Sequence, residues 1–92
     1  MLNILALETS TSASKVAIYS SKEGIKKVLS IPYDENISDT ITQDARGVLN
    51  SLVNAIKELL KSETCEIHAI SLSGIWHSLL FLDQDRNPVS PI

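Results

Sequence analysis

The sequence predicts an α/β fold in which a small sheet of mixed strand direction packs against one long helix. Two observations carry the prediction. Short apolar, β-branched runs occur before Pro32 and again over Ile67 to Leu72, and between Thr40 and Lys61 apolar residues recur at spacings of three and four. A chain of 92 residues with 43% hydrophobic and 21% charged side chains is long enough for one thin core.

Asn3 to Leu7 reads as a strand buried on both faces. The polar cluster Glu8-Thr9-Ser10-Thr11-Ser12-Ala13-Ser14 follows, and Lys15 to Ser20 forms a second strand. Lys22-Glu23-Gly24 is a turn in which Gly24 is free to take positive φ. Ile25 to Tyr33 is a third strand, and the opening is therefore a meander. Asp34 to Asp39 is a polar loop. The helix runs from Thr40 to Lys61 with its apolar stripe through Val48, Leu52, Ile56 and Leu59. Thr40 and Gln43 have capping-box spacing, Lys57 and Lys61 suit the negative end of the dipole, and Gly47 weakens the middle. Ile67 to Leu72 is a second buried strand run, Leu79 to Leu82 a further strand, and Asp83 to Asn87 a turn.

Composition narrows function. Eight basic against eleven acidic side chains give a net charge of -3, which argues against a nucleic-acid partner. Cys65 is the lone cysteine, so disulfides and Cys-rich metal sites are excluded and a cytoplasmic setting is expected. No run reaches the about 18 apolar residues of a membrane span, and the first residues lack the charge pattern of a signal peptide.

Two segments carry residues suited to chemistry. In Glu8 to Lys15, the hydroxyls of Thr11 and Ser12, turn amides and the Lys15 ammonium offer donors to an anion. The Glu8 carboxylate at a strand end suits Mg²⁺ held through water. The plain alternative is an ordinary polar hairpin, and the glycines of a P-loop are missing. In Ser73-Gly74-Ile75-Trp76-His77-Ser78, Trp76 and His77 follow a strand's carboxyl end, where open α/β sheets place ligands. There an indole suits the apolar face of a sugar and an imidazole its hydroxyls; the alternative is a packed Trp beside a satisfied His. His68 alternates with apolar residues and is read as structural.

These segments, in this order, resemble the amino-terminal end of the FGGY carbohydrate kinases, xylulokinase- or gluconokinase-like. Ile4-Leu5-Ala6-Leu7-Glu8-Thr9-Ser10-Thr11-Ser12-Ala13-Ser14-Lys15 is similar to the family's strand, Asp-x-Gly-Thr turn and Lys. Ser73-Gly74-Ile75-Trp76-His77 resembles its Ser-Gly-Gln-Met-His segment, and Asp83 to Ile92 its Asp-x-x-Gly-x-Pro-Leu-x-Pro turn. The resemblance implies a ribonuclease-H-like, actin-like ATPase fold, with residues 1–92 as part of the first kinase domain. It implies ATP and Mg²⁺ as cofactors, with Glu8, Thr11, Ser12 and Lys15 towards the phosphates and metal. Trp76 and His77 would meet a carbohydrate such as xylulose or gluconate.

Three departures stand out. Glu8 replaces Asp, Ser10 stands where Gly is usual and is expected to strain the turn or crowd a phosphate, and Trp76 replaces Met. The family's catalytic base lies beyond Ile92, so no catalytic residue is expected within the chain, which reads as an inactive fragment. The unpaired edge of a truncated sheet favours a homodimer. An alternative, a non-catalytic scaffold subunit of a tRNA threonylcarbamoyladenosine modification complex, resembles the opening Leu-Ala-Leu-Glu-Thr-Ser-Thr. That scaffold has Gly-Pro-Gly-Ser-Phe-Thr-Gly where this chain has Ser73-Gly74-Ile75-Trp76-His77.

Overall fold

A computed structural model of the chain describes residues 1–39, 42–63, 65–74 and 78–92. Strands β1 (Asn3–Thr9), β2 (Ala13–Ser20) and β3 (Gly24–Pro32) form the expected antiparallel meander. Gly24 closes the second turn at φ 79°, a conformation open to glycine because it lacks a Cβ. Helix α1 (Ala45–Lys61) leads to β4 (Ala69–Ser73), which pairs with β1 in parallel. The sheet order is β3-β2-β1-β4, so sequence-distant β4 adds to the open side of β1.

The core lies between α1 and one face of the sheet. Strand alternation sends Leu5, Val16 and Ile18 to that face, where they meet Leu52, Ala55 and Leu59 of the helix. Each fully buried aliphatic side chain there is worth about 1.5–3 kcal/mol in transfer from water. α1 lies over β2 and β3, skirts β1 and does not reach β4.

Helix capping differs from the sequence expectation. Asp44, not Thr40, is the N-cap, with extended backbone and a side chain that accepts the Gly47 N–H at 3.0 Å. Gln43 lies outside the helix and is buried; Thr40 is outside the described residues. Gly47 sits in the first turn rather than the middle. A Cβ there would meet Asp44 Oδ2 at 2.9 Å and Ile37 Cγ1 at 3.0 Å, so glycine lets the cap and the preceding loop close over the helix end. Lys61 occupies the last turn as expected.

Three further expectations change. β1 is buried through Asn3 and Leu5 on the helix face, while Ile4 and Ala6 on the other face are half-buried. The strand expected over Ile67–Leu72 forms at Ala69–Ser73, and all five of its residues are exposed because α1 stops short of it. Leu79 to Leu82 is not a sheet strand. It turns back through an isolated Leu82–Pro88 bridge and a Val89 N–H donating to Phe81 O at 2.9 Å. Asp83 Oδ1 accepts the amides of Asp85 and Asn87, both at 2.9 Å, and closes the intervening turn. The last residue is then held by reciprocal backbone bonds between Ile92 and Gln43.

His68 is structural, as expected, and it has a defined partner. Its Nδ1 accepts the Asn3 N–H at 3.0 Å, and its own N–H donates to Asn3 O at 2.9 Å. The approach to β4 is thereby fastened to the start of β1. The buried Asn3 side chain adds a bond to Glu66 O at 2.9 Å.

Candidate functional site

The β1–β2 turn is built from hydroxyls. Ser10 N–H donates to Ala13 O at 2.9 Å, and Ser10 Oγ accepts the Ala13 N–H at 3.2 Å. Ser10 thus supplies the turn's internal bonds. Among the described residues the one non-glycine with positive φ is Arg86, so the strain expected at Ser10 is absent. A side-chain oxygen that bonds its own turn takes over the role of glycine's conformational freedom.

The turn's carbonyls are held from behind by the loop that precedes α1. Gln43 Nε2 donates to Ser10 O at 2.9 Å, Ser38 Oγ to Thr11 O at 2.8 Å, and Tyr33 N–H to Ser12 O at 2.8 Å. The Ser10, Ser12 and Ala13 amides are likewise bonded inside the turn. The side chains of Thr11 and Ser12 are exposed. Exposed hydroxyls of this kind can donate to the oxygens of an anion. Gln43 is the positioning residue that sequence reasoning missed. Its spacing from Thr40 suggested a cap, and no local pattern signals a contact 33 residues away.

Glu8 and Lys15 are direct cross-strand partners, both exposed on the face away from α1. No ion pair joins them within the described residues. Their side chains, with Ser71 and Ser73 of β4 and the small Ala6 and Ala17, line a shallow cavity of about 250 Å³. Glu8 is also the parallel partner of Ser73. The carboxyl ends of β1 and β4 are therefore neighbours, and the Glu8–Lys15 turn meets the Ser73-Gly74 end at one rim of the sheet. Trp76 and His77 lie outside the described residues.

Among the described residues no three His, Cys, Asp or Glu side chains gather to hold a metal ion. Glu8 is a single carboxylate, which fits a cation bound mostly through water and a ligand's own oxygens. A second, larger groove of about 520 Å³ runs between the start of α1 and the carboxyl-terminal segment, lined by Glu35, Asp44, Arg46, Pro88 and Ser90 among others. It exists because the tail docks on Gln43, a long-range event without a local sequence signal. No described helix is long and apolar enough to cross a membrane.

No protein-family model matches the chain, and no curated protein matches it by sequence. Solved structures do match. The ligand-bound xylulose kinase from Lactobacillus acidophilus superposes with a TM-score of 0.83 at 22% identity, over 99% of this chain and 19% of its own. Gluconate kinase from the same organism gives 0.83 at 23% identity, over 97% and 18%. Xylulose kinase from Rhodospirillum rubrum gives 0.84 at 14% identity, over 97% and 19%. At these identities the likeness is one of fold, and it bears out the actin-like architecture expected from the sequence. The chain spans less than a fifth of the length of these kinases.

Proposed function

We propose that this chain is the amino-terminal portion of an FGGY-type carbohydrate kinase, whose parent transfers the γ-phosphoryl group of ATP to a sugar or sugar acid. The observation that carries the reading is the convergence of the Glu8–Lys15 turn and the Ser73-Gly74 strand end at one rim. It occurs in a fold shared over nearly the whole chain with xylulose and gluconate kinases.

Thr11 and Ser12 face the phosphates, and Lys15 neutralises their charge from the neighbouring strand. Glu8 holds Mg²⁺ through water. Mg-ATP supplies the transferable group and the metal charge; the residues of the turn supply position, which is most of what phosphoryl transfer requires of a protein. Trp76 and His77 follow the adjacent strand end and meet the carbohydrate. The general base implied by the family resemblance falls beyond Ile92, and a base must stand within about 2.6–3.2 Å of the proton it takes, so residues 1–92 alone are expected to be inactive.

The test is an NMR titration of the 92-residue chain with Mg-ATP. Millimolar binding with amide shifts confined to Ser10–Lys15, weakened at least about threefold by Lys15→Ala, is expected. Shifts centred elsewhere, or none, overturn the phosphate assignment. Sugar-dependent ADP release with xylulose or gluconate, above a Glu8→Ala control, overturns the expected inactivity.

A further inference from the structure

We propose that Gln43 is a positioning residue that couples the segment 79–92 to the Ser10–Ala13 turn, so that the docking of one sets the shape of the other. For its consequence in binding this rests on the phosphate reading of the turn; the coupling itself belongs to the ligand-free chain.

Gln43 is bonded at both ends. Its main chain pairs with Ile92 in both directions: the Gln43 N–H donates to Ile92 O at 3.1 Å, and the Ile92 N–H donates to Gln43 O at 2.9 Å. Its side chain reaches the other way. Nε2 donates to Ser10 O at 2.9 Å, with Thr11 O and Ser38 Oγ each at 3.4 Å. Ile92 belongs to a segment that folds back on itself through the Val89 N–H bond to Phe81 O. Arg46 Nη2 ties the same segment to α1 by donating to Asn87 Oδ1 at 2.7 Å.

The surroundings leave the carboxamide one way to sit. Gln43 is 7% exposed, so water does not readily replace a bond that breaks. Its Oε1 is buried with no hydrogen-bond partner, so the side chain is held through its donors. Turning the amide over would set Oε1 against the carbonyl oxygens of Ser10 and Thr11, acceptor facing acceptor. A shift of the Gln43 backbone is therefore passed on to the turn and not absorbed by a change of partner. A bond of 2.9 Å is lost by about 3.6 Å, so a displacement well under about 1 Å suffices.

The carbonyls of Ser10 and Thr11 adjoin the exposed side chains of Thr11 and Ser12. Fixing those carbonyls orients the hydroxyls that the phosphate reading assigns to ATP. Undocking of residues 79–92 weakens anion binding at the turn, and by reciprocity an anion bound there favours the docked segment.

The test is a double-mutant cycle on the 92-residue chain, read first in ligand-free amide spectra. Ile92→Pro removes the N–H that donates to Gln43 O. Gln43→Met keeps the length of the side chain and deletes the Nε2 donor. Ile92→Pro should move the amide signals of Ser10–Ala13. In the Gln43→Met background it should leave them where Gln43→Met alone puts them, the non-additivity of a shared path. Arg46→Ala, which cuts the tie to Asn87, should move the same signals in the same direction. Circular dichroism of Ile92→Pro and Arg46→Ala should stay native, because both contacts lie outside the core cluster. Mg-ATP is the second probe. Ile92→Pro should raise its dissociation constant at least about threefold in the unsubstituted chain and leave it unchanged within error in Gln43→Met. Turn signals indifferent to Ile92→Pro, equal shifts in both backgrounds, or Mg-ATP binding untouched by Ile92→Pro overturn the inference. No Mg-ATP binding by the unsubstituted chain overturns the phosphate reading instead, and the ligand-free spectra still decide the coupling.

Discussion

β3 and β4 are the two edge strands of one sheet, yet the helix-covered half around β3 and the open half around β4 are finished by opposite means. On the β3 side, α1 presses Leu52, Ala55 and Leu59 onto Val16 and Ile18, and lysines and a bulge guard the rim. On the β4 side, order comes from backbone bonds to β1, the His68–Asn3 fastening and a hydrogen-bonded tail, with apolar side chains left outside. Helices pack about 8–10 Å apart and strands about 4.8 Å, so one helix covers roughly two strands. A four-stranded sheet with a single helix leaves one half bare.

The largest expected effect sets the two halves against each other. Leu59→Ala removes a side chain that is 0% exposed and should cost about 2–5 kcal/mol in urea unfolding, enough to unfold a domain this small. Leu72→Ala, at 72% exposure, should cost under about 0.5 kcal/mol, measured at a concentration where the chain is monomeric. Similar costs for both would break the comparison, because they would require β4 to be covered in the folded monomer.

A smaller effect of opposite sign is expected within the open half. Arg86 sits at φ 67°, in the left-handed region that costs a non-glycine residue about 1–2 kcal/mol. The turn there is held by Asp83, whose side chain bonds the amides on either side of Arg86. Arg86→Gly should relieve that strain and raise the midpoint of thermal unfolding by a few degrees, offset in part by glycine's greater freedom in the unfolded chain. A lowered midpoint would show that the arginine side chain contributes more than its backbone costs.

The smallest effect belongs to the exposed face of α1. Glu58 accepts from Lys61 Nζ at 2.8 Å, and that hydrogen bond, with the lysine's charge, holds its carboxyl below the ordinary range. A depressed folded-state value contributes stability above the unfolded value and loses it as pH falls through the folded one. Both side chains are exposed, so water and salt screen the pair. Glu58→Gln should leave the unfolding midpoint at pH 7 unchanged within error and flatten slightly its fall below pH 5. A clear loss at neutral pH would give the surface of the covered half a role that packing does not require.

Several parts of this architecture were legible in the residues because their causes are local. The change of period at the helix, the glycine of the Lys22-Glu23-Gly24 turn, the alternation of β2 and the Asp83–Asn87 turn all follow from the chain's nearest neighbours. The Glu8–Lys15 turn was legible as a hydroxyl-rich hairpin. The state of Ser10 was not, since relief of strain depends on which way its Oγ points. Burial of β4 was misread for a related reason: Ile70 and Leu72 are apolar whether or not a helix covers them.

By itself the amino-acid sequence determined the three-stranded meander, the presence of the helix and of the strand after it, and which residue types gather near Glu8 and Ser73. Backbone sterics and the spacing of apolar side chains act over a few residues and leave their mark in order and composition. Only the tertiary structure decided that Gln43 holds the turn at Ser10 and that α1 covers β2 and β3 but leaves β4 bare, whereas a fourth strand parallel to the first was already expected from the sequence. Those outcomes join residues tens of positions apart. They depend on the width of a helix against the spacing of strands, a quantity that no local pattern of residues carries.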